Sequence, residues 1–103
     1  MTDRRQLQNR RAHELQEFWF KGHNYTLGVG EFDDGGISEI FIDCAKLQSQ
    51  SANDARDAGV CLSIALQCGV KIEAIRSAVT REEDGSPTGI IGQVLDMLAE
   101  RRT

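Results

Sequence analysis

Apolar residues follow two different periods along this chain, alternation first and helical spacing afterwards. Phe18, Trp19 and Phe20 are strand formers, and Gly22-His23-Asn24 supplies a turn. Tyr25, Leu27 and Val29 then alternate with smaller or polar residues, as a half-buried strand requires. Asp33-Asp34-Gly35-Gly36 is a hairpin signal, because Asp-Gly readily adopts the positive backbone angles of tight turns. The return strand, over residues 37–43, sets Ile40 and Ile42 on one face and Glu39, Phe41 and Asp43 on the other. Phe41 stands out on an otherwise acidic face and predicts that something covers it, for which a neighbouring subunit would serve.

From Ser49 onward the spacing becomes helical. Ser49 or Ser51 can cap a long helix, and Asp54 suits the positive end of its dipole. Ala55, Ala58, Gly59, Leu62, Ala65 and Leu66 form one stripe, and Gly69 with Val70 ends the helix. Gly59 costs about 1 kcal/mol relative to Ala inside a helix, so its place in a small-residue stripe predicts a close backbone approach. A second helix is expected on Ile72, Ile75, Ala78 and Val79. After the loop 81–87, a third starts at Ser86-Pro87 and carries Ile90, Ile91, Val94, Leu95 and Leu98 to Arg101 and Arg102. Strands and then helices in separate blocks predict an α+β fold: a three-stranded antiparallel meander followed by three helices packed on one face. Residues 1–16 read as a polar, arginine-rich arm, with Arg4, Arg5, Arg10 and Arg11, and 17–103 as a single domain.

Composition narrows the function classes. At 103 residues there is room for one core and none for a large catalytic barrel. A net charge of −4 disfavours a phosphate-backbone binder, although the basic arm leaves nucleic-acid binding as an alternative. The apolar runs fall short of a membrane span and the N-terminus lacks a signal-peptide core, so a cytoplasmic location is expected. Cys44, Cys61 and Cys68 form no CxxC pair and read as small buried apolar residues. His13 and His23 have no third group in sequence to orient them as a catalytic triad.

A family resemblance lies on residues 18–79. Tyr25-Thr26-Leu27-Gly28-Val29-Gly30, the Phe32-Asp33-Asp34-Gly35 turn, Glu39-Ile40-Phe41-Ile42, Lys46, Ser49 and the run Leu62 to Val70 occur in order. Together they resemble the TSCPD domain, found near the C-terminus of adenosylcobalamin-dependent ribonucleotide reductases and as small stand-alone proteins. The Asp84-Gly85-Ser86-Pro87 loop and Leu95-Asp96 resemble the stand-alone members. The Thr-Ser-Cys-Pro-Asp run that names the family is absent, and the three cysteines fall elsewhere, so the resemblance implies neither a metal site nor a cofactor here. Gln48 stands where the family usually has Gly, and Lys71 where Pro often follows Gly-Val.

The resemblance implies a non-catalytic accessory or interaction module, assembling as a homo-oligomer and binding a protein partner, such as ribonucleotide reductase, or a nucleotide. Alternatives are a small-ligand-binding protein or small enzyme with a site between subunits, and a nucleic-acid binder acting through the basic arm. Lys46, Ser49 and Ser51, at the start of the long helix, are candidates for an anion or nucleotide phosphate. Phe18, Trp19, Phe20 and Phe41 are candidates for an interaction surface.

Overall fold

The computed structural model describes residues 13–46 and 48–101. Three strands precede three helices: β1 (His13–Phe20), β2 (His23–Glu31), β3 (Ile37–Cys44), α1 (Gln50–Gln67), α2 (Ile72–Arg76) and α3 (Ile90–Arg101). The architecture is α+β, with one antiparallel sheet in the order β1-β2-β3. The chain divides into two compact units, Met1–Gly69 and Val70–Thr103.

In the first unit both hairpins follow from local turn chemistry. β1 joins β2 through Lys21-Gly22, with φ of 46° and 88°, the mirror-image turn whose twist matches the flanking strands. The turn therefore sits one residue earlier than Gly22-His23-Asn24, and His23 and Asn24 belong to β2. β2 joins β3 through Phe32–Gly36: the Gly35 N–H donates to Phe32 O (2.9 Å), and the Phe32 N–H to Gly36 O (2.7 Å). β1 begins at His13, so four residues assigned to the polar arm are strand, while residues 1–12 lie outside the described part. The polar side chains of Glu14 and Gln16 do not prevent this, because backbone pairing with Leu27–Gly30 orders the segment.

The register sets Tyr25, Leu27 and Val29 opposite Cys44, Ile42 and Ile40, on the face that α1 covers. Those six residues are buried with Ala52, Ala55, Ala58 and Leu62 of α1. Burying an aliphatic side chain of this kind contributes about 1.5–3 kcal/mol, so this layer is the main source of the unit's stability. Ser49 caps α1, its hydroxyl accepting from the Ala52 N–H at 3.1 Å. Gly59 does what its place in the stripe predicts. A Cβ there would lie 2.9 Å from Ile40 O and 3.3 Å from Ile42 N, so the helix backbone rests directly on β3.

In the second unit α2 and α3 pack on each other. α2 has only five residues; Ile72 is buried, but Ala78 lies beyond the helix and is exposed, unlike the longer helix expected. α3 starts at Ile90 rather than at Ser86-Pro87. Pro87 instead forms an antiparallel bridge with Arg81, and the Glu82 N–H donates to Ser86 O at 2.8 Å, closing the loop into a small hairpin. Val94, Leu95 and Leu98 form the buried stripe of α3, as expected, while Ile90 and Ile91 are half-buried. No helix among the described residues is long and apolar enough to cross a membrane.

Candidate interaction surface

Among the described residues the two most exposed large apolar side chains, Leu15 and Trp19, lie on the sheet face opposite α1. Strand pairing arranges it in rows across β1, β2 and β3: Leu15-Gly28-Phe41, then Glu17-Thr26-Asp43, then Trp19-Asn24 on the first two strands. The central strand contributes only Asn24, Thr26, Gly28 and Gly30 to this face, whereas its neighbours contribute long side chains. Leu15 and Phe41 lean over the central strand at Gly28, their Cδ2 and Cβ lying 3.2 and 3.4 Å from where a Gly28 Cβ would stand, so Gly28 is buried beneath them. Leu15 is 75% exposed, Trp19 69% and Phe41 47%, values that set this face apart from the buried one. Glu17 and Asp43 are exposed between the two apolar rows.

Beyond Phe41 the face continues into a groove of about 380 Å³ between β3 and α1, walled by Phe41, Val60 and Ile64. At the groove's base α1 occupies the outer edge of β3. The Ser63 hydroxyl accepts from the Ile40 N–H (2.8 Å) and donates to Ile40 O (3.0 Å), while Gln67 Nε2 donates to Ser38 O (2.7 Å). Ser63 and Gln67 are both buried. An edge strand normally offers its N–H and C=O groups as a template for another chain. Here helix side chains take that place over Ser38–Ile40. The sequence reading missed both residues, because their role follows from the close approach at Gly59 rather than from any local pattern.

The four aromatic candidates divide between the two faces. Phe18 stacks on Tyr25 with ring centroids 5.4 Å apart, and Phe20 lies tilted against the same ring at 6.4 Å. Both sit on the α1 side of the sheet, since Phe18 pairs with Tyr25 and Phe20 with His23. Trp19 and Phe41 stand on the opposite face, joined there by Leu15, which lay in the stretch read as an arm. Burial pushes the Tyr25 hydroxyl above its ordinary pKa, aided by Cys44 and countered by a hydrogen bond with Ser51.

Ser51, one of the anion candidates, thus lies beside the Tyr25 hydroxyl. The Ser49 hydroxyl is committed, accepting from the Ala52 N–H and donating to Lys46 O at 2.6 Å, while Lys46 is exposed. Of the cysteines, Cys44 is buried as expected and Cys68 half-buried, but Cys61 is exposed on α1. Among the described residues no cluster of His, Cys, Asp and Glu is placed to hold a metal ion.

The second unit contains one strong ionic cluster. Arg81 donates to both carboxylate oxygens of Asp96 (2.7 and 2.9 Å), and Arg76 Nε to one of them (2.8 Å). Hydrogen bonding from Arg81 is the main cause that lowers the Asp96 pKa to about 2. Arg81 Nη1 also donates to Gly85 O at 3.1 Å, so the cluster pins the 81–87 hairpin onto α3. Its geometry is that of a structural clamp.

No family model and no solved structure matches the chain. Two proteins named vitamin B12-dependent ribonucleotide reductase do. The one from Agrobacterium fabrum is 37% identical over 78 residues, 76% of this chain, and the one from Bradyrhizobium diazoefficiens 32% identical over 80 residues, 78% of this chain. In each case the match spans 6% of the relative's length. Over roughly three quarters of its sequence, then, the chain is similar to one short segment of vitamin B12-dependent ribonucleotide reductase, the enzyme class to which its strand, turn and helix motifs pointed.

Proposed function

We propose that this chain is a non-catalytic interaction module that docks on a protein partner through the sheet face opposite α1, with a ribonucleotide reductase as the first partner to test. The observation that carries this reading is the row Leu15-Gly28-Phe41 with Trp19 beside it: large apolar side chains exposed together on a rigid three-stranded sheet. Such side chains gain by burial and are enriched in the centres of protein interfaces. The most constrained polar groups have structural duties instead. Ser63 and Gln67 cap β3, and Asp96 holds two arginines. The similarity to a reductase segment supports the choice of partner.

The test is binding of the purified chain to purified vitamin B12-dependent ribonucleotide reductase, read by sedimentation and by emission from Trp19, the chain's single tryptophan. Association is expected, with a blue shift as Trp19 leaves water. Leu15→Ser combined with Phe41→Ser should abolish it while leaving the circular dichroism spectrum unchanged. Absence of binding at tens of micromolar would remove the reductase as partner. Light scattering on the same sample reads self-association, in which a second copy would compete for this face.

A further inference from the structure

We infer that the sheet face over β2 is occupied by an amphipathic segment of a protein partner whose apolar residues are flanked by Lys or Arg. This inference rests on the interaction reading above and names the chemistry of the partner at that same face. The strand positions facing this side include the acids Glu17, Glu39 and Asp43 and neither Lys nor Arg. Glu39 is buried, so the two carboxylates offered to a partner are Glu17 and Asp43. Arg56 on α1 lines the neighbouring groove, and its guanidinium donates to Asn53 Oδ1 at 2.6 Å.

Spacing makes the complementarity specific. Glu17 and Asp43 face each other across Thr26, their strands separated by about 10 Å, a gap that one cationic side chain lying over β2 can address from both sides. The Leu15-Gly28-Phe41 row lies two residues along the strand, about 7 Å away. Residues four apart on a helix rise by about 6 Å along its axis. A partner helix laid along β2 would therefore set an apolar side chain on the Gly28 row and a Lys or Arg four residues away over the Thr26 row. The chain's own residues 1–12, which lie outside the described part, carry four arginines with Met1 and Leu7 as their large apolar residues, and so stand as a competitor in the test.

The test uses the full chain and two synthetic 18-residue peptides with leucine on one helical face, one with arginine and the other with glutamate four residues from each central leucine. Trp19 emission and calorimetry read binding. The arginine peptide is expected to bind at least tenfold more tightly than the glutamate peptide, and to weaken as salt rises. Asp43→Lys should reduce its affinity tenfold or more. Glu82→Lys, which changes net charge equally but on the 81–87 loop, should change it less than twofold. Equal binding of both peptides, or equal effects of the two charge reversals, would overturn the inference. So would arginine-peptide binding that appears only after deletion of residues 1–12, which would make the chain's own N-terminus the occupant. Reductase binding that survives Asp43→Lys and Leu15→Ser would refute this inference and leave the reductase as partner. Arginine-peptide binding without reductase binding would do the reverse.

Discussion

Replacing Gly59 with Ala tests the central packing contact, because the local and tertiary contributions have opposite signs. Inside an isolated helix Gly→Ala stabilises by about 1 kcal/mol. In this fold the new methyl would stand 2.9 Å from Ile40 O, whereas ordinary contact begins at 3.4 Å, so α1 and β3 must part by about 0.5 Å. The atom it strikes belongs to rigid backbone and cannot rotate away. Overpacking of this sort costs roughly 1–3 kcal/mol. The same displacement would stretch the 3.0 Å bond from Ser63 to Ile40 O towards its limit, a further loss of about 1 kcal/mol. The net expectation is destabilisation by about 1–3 kcal/mol, which lowers the melting temperature by several degrees. Urea unfolding followed by far-ultraviolet circular dichroism measures it, the slope serving as a check that the unfolded state is unchanged. A Gly59→Ala protein as stable as the parent, or more so, would mean that α1 does not rest on β3 as described.

Three further outcomes are expected. Asp96 is held near pKa 2 against an ordinary 3.8, so its contribution is fully present above about pH 4 and is lost as pH falls through 3.8 towards 2. Because Asp96 keeps some solvent access, that contribution is about 1–2 kcal/mol, and Asp96→Asn should lower stability at pH 7 while flattening its fall between pH 4 and 2. Gln48 sits at φ 57°, where a side chain costs about 1–2 kcal/mol and glycine avoids that strain at a smaller entropic cost; Gln48→Gly should raise the melting temperature by a few degrees. With a thiol reagent under native conditions Cys61 should react first and Cys68 more slowly, while buried Cys44 should react only on unfolding, each assigned by peptide mapping.

Elements governed by nearest neighbours could be read from the sequence, and those governed by long-range partners could not. The Asp-Gly hairpin, the Ser49 cap and the small-residue stripe of α1 each express a local preference, and each is in place. The third helix was begun too early because Ser-Pro is a sound helix start taken alone. In the folded chain Pro87 pairs with Arg81, and Arg81 is held by Asp96, fifteen residues away. The strand at His13–Gln16 has little apolar pattern and is ordered by β2. Phe18, Trp19 and Phe20 could have been separated from sequence, since alternation along a strand must send Trp19 to the opposite face from its neighbours. Leu15 then follows by the same parity, and with it the apolar row.

The way α1 closes the edge of β3 bears directly on how a partner can bind. A chain adding to the sheet at Ser38–Ile40 would have to displace Ser63 and Gln67, leaving two buried polar side chains without their bonds. Each such loss costs about 1–3 kcal/mol, which cancels much of what new strand pairing returns. Docking on the face displaces no such bond, because Leu15 and Trp19 are largely exposed and Phe41 partly so. Replacing Ser63 with Ala separates the two modes. It should destabilise the first unit by about 2 kcal/mol and expose the Ile40 edge, yet leave binding through the face unchanged. A partner that bound the Ser63→Ala protein much more tightly than the parent would be one that adds to the strand edge, and the face would then be the wrong surface.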